Sequence, residues 1–126
     1  MLIFKKFFLI LFLGFCLFTP KKMLAQKELQ SSQKLFKSRC SQCHSLSQAY
    51  DVDSVLPSSW KETVKSMQRK SESNINDTEA QTIYEFLVYD TTKKQNKKLE
   101  QELQAIPKDQ QQTEQAEIDR IKKLFS

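Results

Sequence analysis

The chain has 126 residues, with 20 Lys or Arg against 15 Asp or Glu, three cysteines, one histidine and one glycine. That length allows a single small domain with a modest apolar core. Four of the basic residues and none of the acidic ones lie in residues 1–25, so without that segment the balance is 16 against 15 and the basic excess gives no reason to expect nucleic-acid binding.

Lys5 and Lys6 precede a nearly unbroken apolar run, residues 7–18, which Thr19-Pro20-Lys21-Lys22 breaks. This is the order of a secretory signal, and a run of about a dozen residues is too short to span a bilayer comfortably. Met23-Leu24-Ala25 offers a cleavage site, with the cut expected after Ala25. The alternative is an uncleaved anchor. Phe15 is too bulky for Cys16 to form a good lipoprotein site, so Cys16 reads as an apolar residue of the signal. A periplasmic protein is expected, or a membrane-anchored one if the segment stays. Six of the nine phenylalanines and the single glycine, Gly14, belong to residues 1–25.

Residues 27–92 are expected to form the folded unit. With no glycine after Gly14, helices joined by Ser, Asn, Asp and Pro turns are expected rather than tight hairpins. The first helix is expected over residues 27–40, with Leu29, Leu35 and Phe36 inward and Ser31, Ser32, Lys34 and Lys37 outward. A polar loop follows over 45–54. Pro57 and Ser58 open a second helix that places Trp60, Val64 and Met67 on one face. Asn76 and Glu79 form a capping-box pair for a third helix. It carries Ile83, Tyr84, Phe86 and Leu87 inward and ends near Asp90 or Thr91.

Residues 93–126 are rich in Gln, Lys and Glu. Leu99, Leu103 and Ile106 make one short apolar stripe, Pro107 interrupts it, and Ile118, Ile121, Leu124 and Phe125 make another. A polar tail, helical or disordered, is expected, with the core folding independently of it. The other reading is a docking helix for a protein or a membrane surface.

Between the first helix and the loop stands Cys40-Ser41-Gln42-Cys43-His44. C-x-x-C-H is the attachment motif of haem c: each thiol adds to one vinyl group, and the adjacent imidazole reaches the iron. A zinc site would need a second Cys/His pair, which the sequence lacks. A thioredoxin-like pair would need a βαβ setting, and no strand pattern is present nearby. One covalent haem c is expected, held by Cys40 and Cys43 with His44 as an axial ligand. Met67 is the candidate for the other axial position, since Met1 and Met23 lie in the presequence. A thioether is a soft neutral ligand that favours ferrous iron. The competing reading makes Met67 a core residue that fills a gap.

The order of helix, attachment motif, loop, proline, methionine and closing helix resembles the class I c-type cytochromes. The resemblance covers about residues 30–90. It rests on Lys34-Leu35-Phe36, on Cys40 to His44, on Pro57, on the run from Trp60 to Met67, and on Ile83-Tyr84-Glu85-Phe86-Leu87. It is nearest to the short haem domains with a tryptophan and a valine before the methionine. The interval from His44 to Met67 is shorter than in mitochondrial cytochrome c.

The resemblance implies an all-α, cytochrome c-like fold. It implies that the Leu56 or Pro57 carbonyl orients the His44 ring, and that Trp60 packs at the haem edge with its N–H toward a propionate. Plain core packing of Trp60 is the other reading. Phe36 is expected to cross against Tyr84 or Leu87. Lys61, Lys65, Arg69 and Lys70, with Lys34, Lys37 and Arg39, read either as solvated helix faces or as a basic collar that steers acidic redox partners.

The function this implies is single-electron transfer between redox proteins. The sequence supplies no acid/base pair, nucleophile or spare metal site, so an enzyme is not expected. Two alternatives stay open: a haem subunit docked to a larger oxidoreductase, and a haem-based ligand sensor.

Overall fold

The computed structural model describes residues 20–70 and 74–126. The expected presequence therefore lies outside the described residues up to residue 19. Among the described residues there are six helices and no strand: α1 (Pro20–Cys40), α2 (Leu46–Ala49), α3 (Pro57–Gln68), α4 (Asp77–Lys94), α5 (Asn96–Ala105) and α6 (Lys108–Leu124). The all-α class follows. None of these helices is long and apolar enough to cross a membrane.

Helix α1 is already formed at Pro20, seven residues before the expected start at residue 27. Lys21 to Lys27 are mostly good helix formers with nothing to stop the turn. The first turns face solvent, with Met23 at 71% and Leu24 at 67% exposure.

The inward face of α1 is Ser32, Phe36 and Cys40, a strict four-residue repeat. Ser32 is thus buried, although its polarity pointed outward. Its hydroxyl donates to the Glu28 carbonyl at 2.9 Å, so no polar group is left unsatisfied.

Helix α4 is the centre of the molecule. It packs against α1, α3, α5 and α6. Its sequence explains this, because Ala80, Ile83, Tyr84, Phe86, Leu87, Val88 and Thr91 are buried on several sides of the cylinder. A helix apolar around most of its girth needs neighbours around most of its girth. The expected capping box starts it. Asn76 Oδ1 accepts the Glu79 N–H at 2.9 Å, and Glu79 Oε2 accepts the Asn76 N–H at 3.1 Å. The helix runs to Lys94, three or four residues past the expected end, because Asp90, Thr91 and Thr92 are themselves buried contacts.

The α1–α4 crossing is made by Phe36 and Phe86, with ring centroids 5.3 Å apart. Tyr50, just after α2, meets Phe36 edge-on at 5.6 Å. Tyr84, expected at this crossing, turns to the opposite side and donates its hydroxyl to Glu117 at 3.0 Å. An ion pair between Arg39 and Glu79 ties the end of α1 to the start of α4.

Residues 93–126, expected as a polar tail, form α5 and α6. Leu99, Leu103, Ile118, Ile121 and Phe125 are buried in the same core cluster as Phe36, Trp60 and Phe86. Each tail helix is too sparsely apolar to fold alone. Joined at Ile106-Pro107, they present two narrow stripes to α4 and α3 at once. Arg120 reaches Glu85 on α4 at 2.9 Å and also bonds Glu117 on its own helix. Phe125 closes on Tyr89, with centroids 5.1 Å apart.

Candidate haem attachment site

The motif sits where α1 ends. Cys40 is the last helical residue, and Ser41, Gln42 and Cys43 form the turn that follows. Both thiols are free, with Cys40 buried and Cys43 exposed. Burial pushes the Cys40 thiol up to about 11. The inward pull of Ser32, Phe36 and Cys40 fixes that burial, and the turn then carries Cys43 outward.

His44 is half-buried. Its Nδ1 lies 3.1 Å from the Ser45 carbonyl. A carbonyl only accepts, so Nδ1 carries the proton and Nε2 is the nitrogen left for a metal. The Leu56 carbonyl, one of the two acceptors implied by resemblance, accepts the Trp60 N–H at 3.0 Å. The orienting contact seen for His44 is therefore local, one residue away in the chain.

Met67 lies in the last turn of α3 and is half-buried. Trp60 and Val64 on the same face are buried. Trp60 is fully enclosed, and its indole N–H donates to Thr91 Oγ1 on α4 at 3.0 Å. That bond employs the one polar handle of the indole inside the protein. Pro57 is buried at the first position of α3, where it lines a groove of about 790 Å³ against Glu114 and Glu117 of α6.

Lys61, Lys65, Arg69 and Lys70 are exposed, as are Lys34 and Lys37. Arg39 is engaged with Glu79. Among the described residues, no group of three or more His, Cys, Asp or Glu side chains is gathered to hold a bare metal ion.

Two free thiols, an imidazole with Nε2 available and a half-buried thioether are the donor types that a covalent haem takes. The donor chemistry of Cys40, Cys43, His44 and Met67 fits that group. The polar contacts of Trp60 are already made without it.

Several structural partners carry no local signal in the sequence. Thr91, Asp90, Glu102 and Glu114 each act across the fold. Asp90 accepts the Tyr50 hydroxyl at 2.7 Å and pairs with Lys94 at 2.9 Å. Nothing in the residues around Asp90 announces a partner 40 positions away. Comparison of the chain with protein-family models, with curated proteins and with solved structures returns no match.

Proposed function

We propose that this protein is an exported monohaem c-type cytochrome that carries single electrons between redox proteins. One observation carries the reading: Cys40-Ser41-Gln42-Cys43-His44 occupies a helix end, with both thiols free and the imidazole held at Nδ1. The resemblance to class I c-type cytochromes supports it, as does the signal-like order of residues 1–25.

When bound, the haem supplies reversible one-electron exchange at iron. The residues do the rest. Cys40 and Cys43 anchor it covalently, one thiol from the core and one from the surface turn. His44 offers Nε2, and the Ser45 carbonyl fixes the ring's tautomer. Met67 offers a neutral sulfur from α3. Phe36 and Phe86 hold α1 and α4 together beneath the attachment turn. The exposed lysines of α1 and α3 would draw an acidic partner in salt-sensitive encounters.

The test is direct. The purified protein should show haem that survives denaturation and acid–acetone extraction. Cys40→Ala, Cys43→Ala protein should lose it. The oxidised protein should show a weak band near about 695 nm, the marker of methionine ligation. Met67→Ala should abolish that band, lower the potential and admit carbon monoxide. Wild-type protein exported in full but free of haem would overturn the proposal.

A further inference from the structure

Helix α3 starts without a side-chain cap of its own. Its N-cap is Leu56, and Pro57 follows. The anionic groups that this helix end favours come from the C-terminal hairpin instead. Glu102 Oε2 on α5 accepts the Val55 N–H at 2.9 Å and the Ser54 hydroxyl at 2.8 Å. Glu114 Oε2 on α6 accepts the Ser58 N–H at 3.0 Å. Lys98 on α5 donates to the Val52 carbonyl at 2.8 Å. The Ser54 hydroxyl passes the restraint on, accepting from Ser59 Oγ at 2.9 Å. Three residues spread over two tail helices thus converge on the segment 52–59.

We propose that α5 and α6 act as a latch on the entry to α3, with Glu102 and Glu114 as positioning residues for the helix that carries Met67. The Met67 half of this inference rests on the haem reading above. The reasoning is mechanical. A helix packed by Trp60 and Val64 can still slide or tilt about that buried face. Hydrogen bonds to the Ser58 N–H in its first turn and to the Val55 N–H just before its N-cap fix its axial position. Charge-assisted bonds are about twice as strong as neutral ones, so two carboxylates on backbone N–H groups make an effective stop. A sulfur at the far end of the same rigid helix inherits that fixed position.

The experiment compares wild type, Glu102→Ala/Glu114→Ala, Glu102→Gln/Glu114→Gln and the control Glu100→Ala, whose carboxylate accepts from Asn96 on its own helix. Amide exchange at Val55 and Ser58 is measured on protein without haem, and the band near about 695 nm and carbon monoxide binding on protein with it. In the alanine pair, exchange at both amides should accelerate about tenfold or more, the scale of losing a charge-assisted bond. Haem content should stay constant while the band weakens and carbon monoxide binds. The glutamine pair keeps an acceptor oxygen at each site and should recover most of the protection. Glu100→Ala should match wild type.

Unchanged exchange in the alanine pair overturns the latch. If that pair does not fold, the single variants Glu102→Ala and Glu114→Ala decide, and wild-type exchange at Val55 in the first and at Ser58 in the second overturns the latch equally. Faster exchange with an undiminished band and no carbon monoxide binding overturns the positioning of Met67. A wild-type protein lacking the band defeats the ligand reading itself, and the exchange rates then judge the latch alone.

Discussion

The Cys40 thiol is 6% exposed and pushed up to about 11 by burial, whereas Cys43 stands in the open turn three residues on. A thiol reacts as its thiolate and only where a reagent can reach it. In protein without haem, iodoacetamide should therefore label Cys43 well before Cys40, as peptide mass spectrometry would resolve. Equal labelling rates would mean that the end of α1 frays. Trp60 gives a second residue-scale prediction. Its N–H bonds Thr91 in a fully enclosed site. Trp60→Phe removes that bond and leaves a small void, at a cost of about 1–3 kcal/mol. Haem content and spectrum should stay as in wild type. A shifted potential with little loss of stability would return the indole to a propionate.

At the scale of the element, α1 and α4 are joined by one aromatic crossing and one ion pair. The Arg39 guanidinium, and after it the Asn76 N–H, hold the Glu79 carboxyl below the usual carboxylate range. A depressed folded-state value means that the pair contributes stability above the unfolded value of about 4.3, and that this contribution is lost as pH falls through the lower folded value. Glu79→Gln keeps an acceptor for the capping box but discards the charge that Arg39 meets. The stability difference between wild type and Glu79→Gln should be steady from neutral pH down to the ordinary carboxylate range, then shrink on further acidification. Urea melts at a series of pH values measure it, and a difference that grew with acid would refute the assignment. The pair joins the end of α1, where the C-x-x-C-H turn begins, to the start of α4. Loosening it should also raise the exposure of Cys40.

For the whole molecule, the decisive question is whether α5 and α6 are an appendage. Leu99, Leu103, Ile118, Ile121 and Phe125 are all buried on the main core. Burying one such side chain contributes roughly 1.5–3 kcal/mol, so five of them rival the ~5–15 kcal/mol net stability of a typical domain. Protein ending at Thr92 should therefore lose cooperative unfolding in the absence of haem, as circular dichroism during a thermal or urea melt would reveal. Full cooperativity in that truncation would restore the tail to the role of a solvated extension.

The sequence by itself determined the helical class, the start of α3 at Pro57, the capping box at Asn76 and the inward face of α4. Each depends on residues within a few positions of one another, where backbone geometry and periodicity act directly. It also contains the C-x-x-C-H run, whose two thiols and imidazole stand at the fixed short spacing that the proposed haem attachment needs. What only the tertiary structure decided involves partners far apart in the chain. The Phe36–Phe86 crossing, the Trp60–Thr91 bond and the Glu102 and Glu114 contacts link positions that no local pattern connects. The tail illustrates the reason most clearly. Two sparse stripes, each too narrow to hold a helix in water, become core when a central helix with several apolar sides stands ready to receive both.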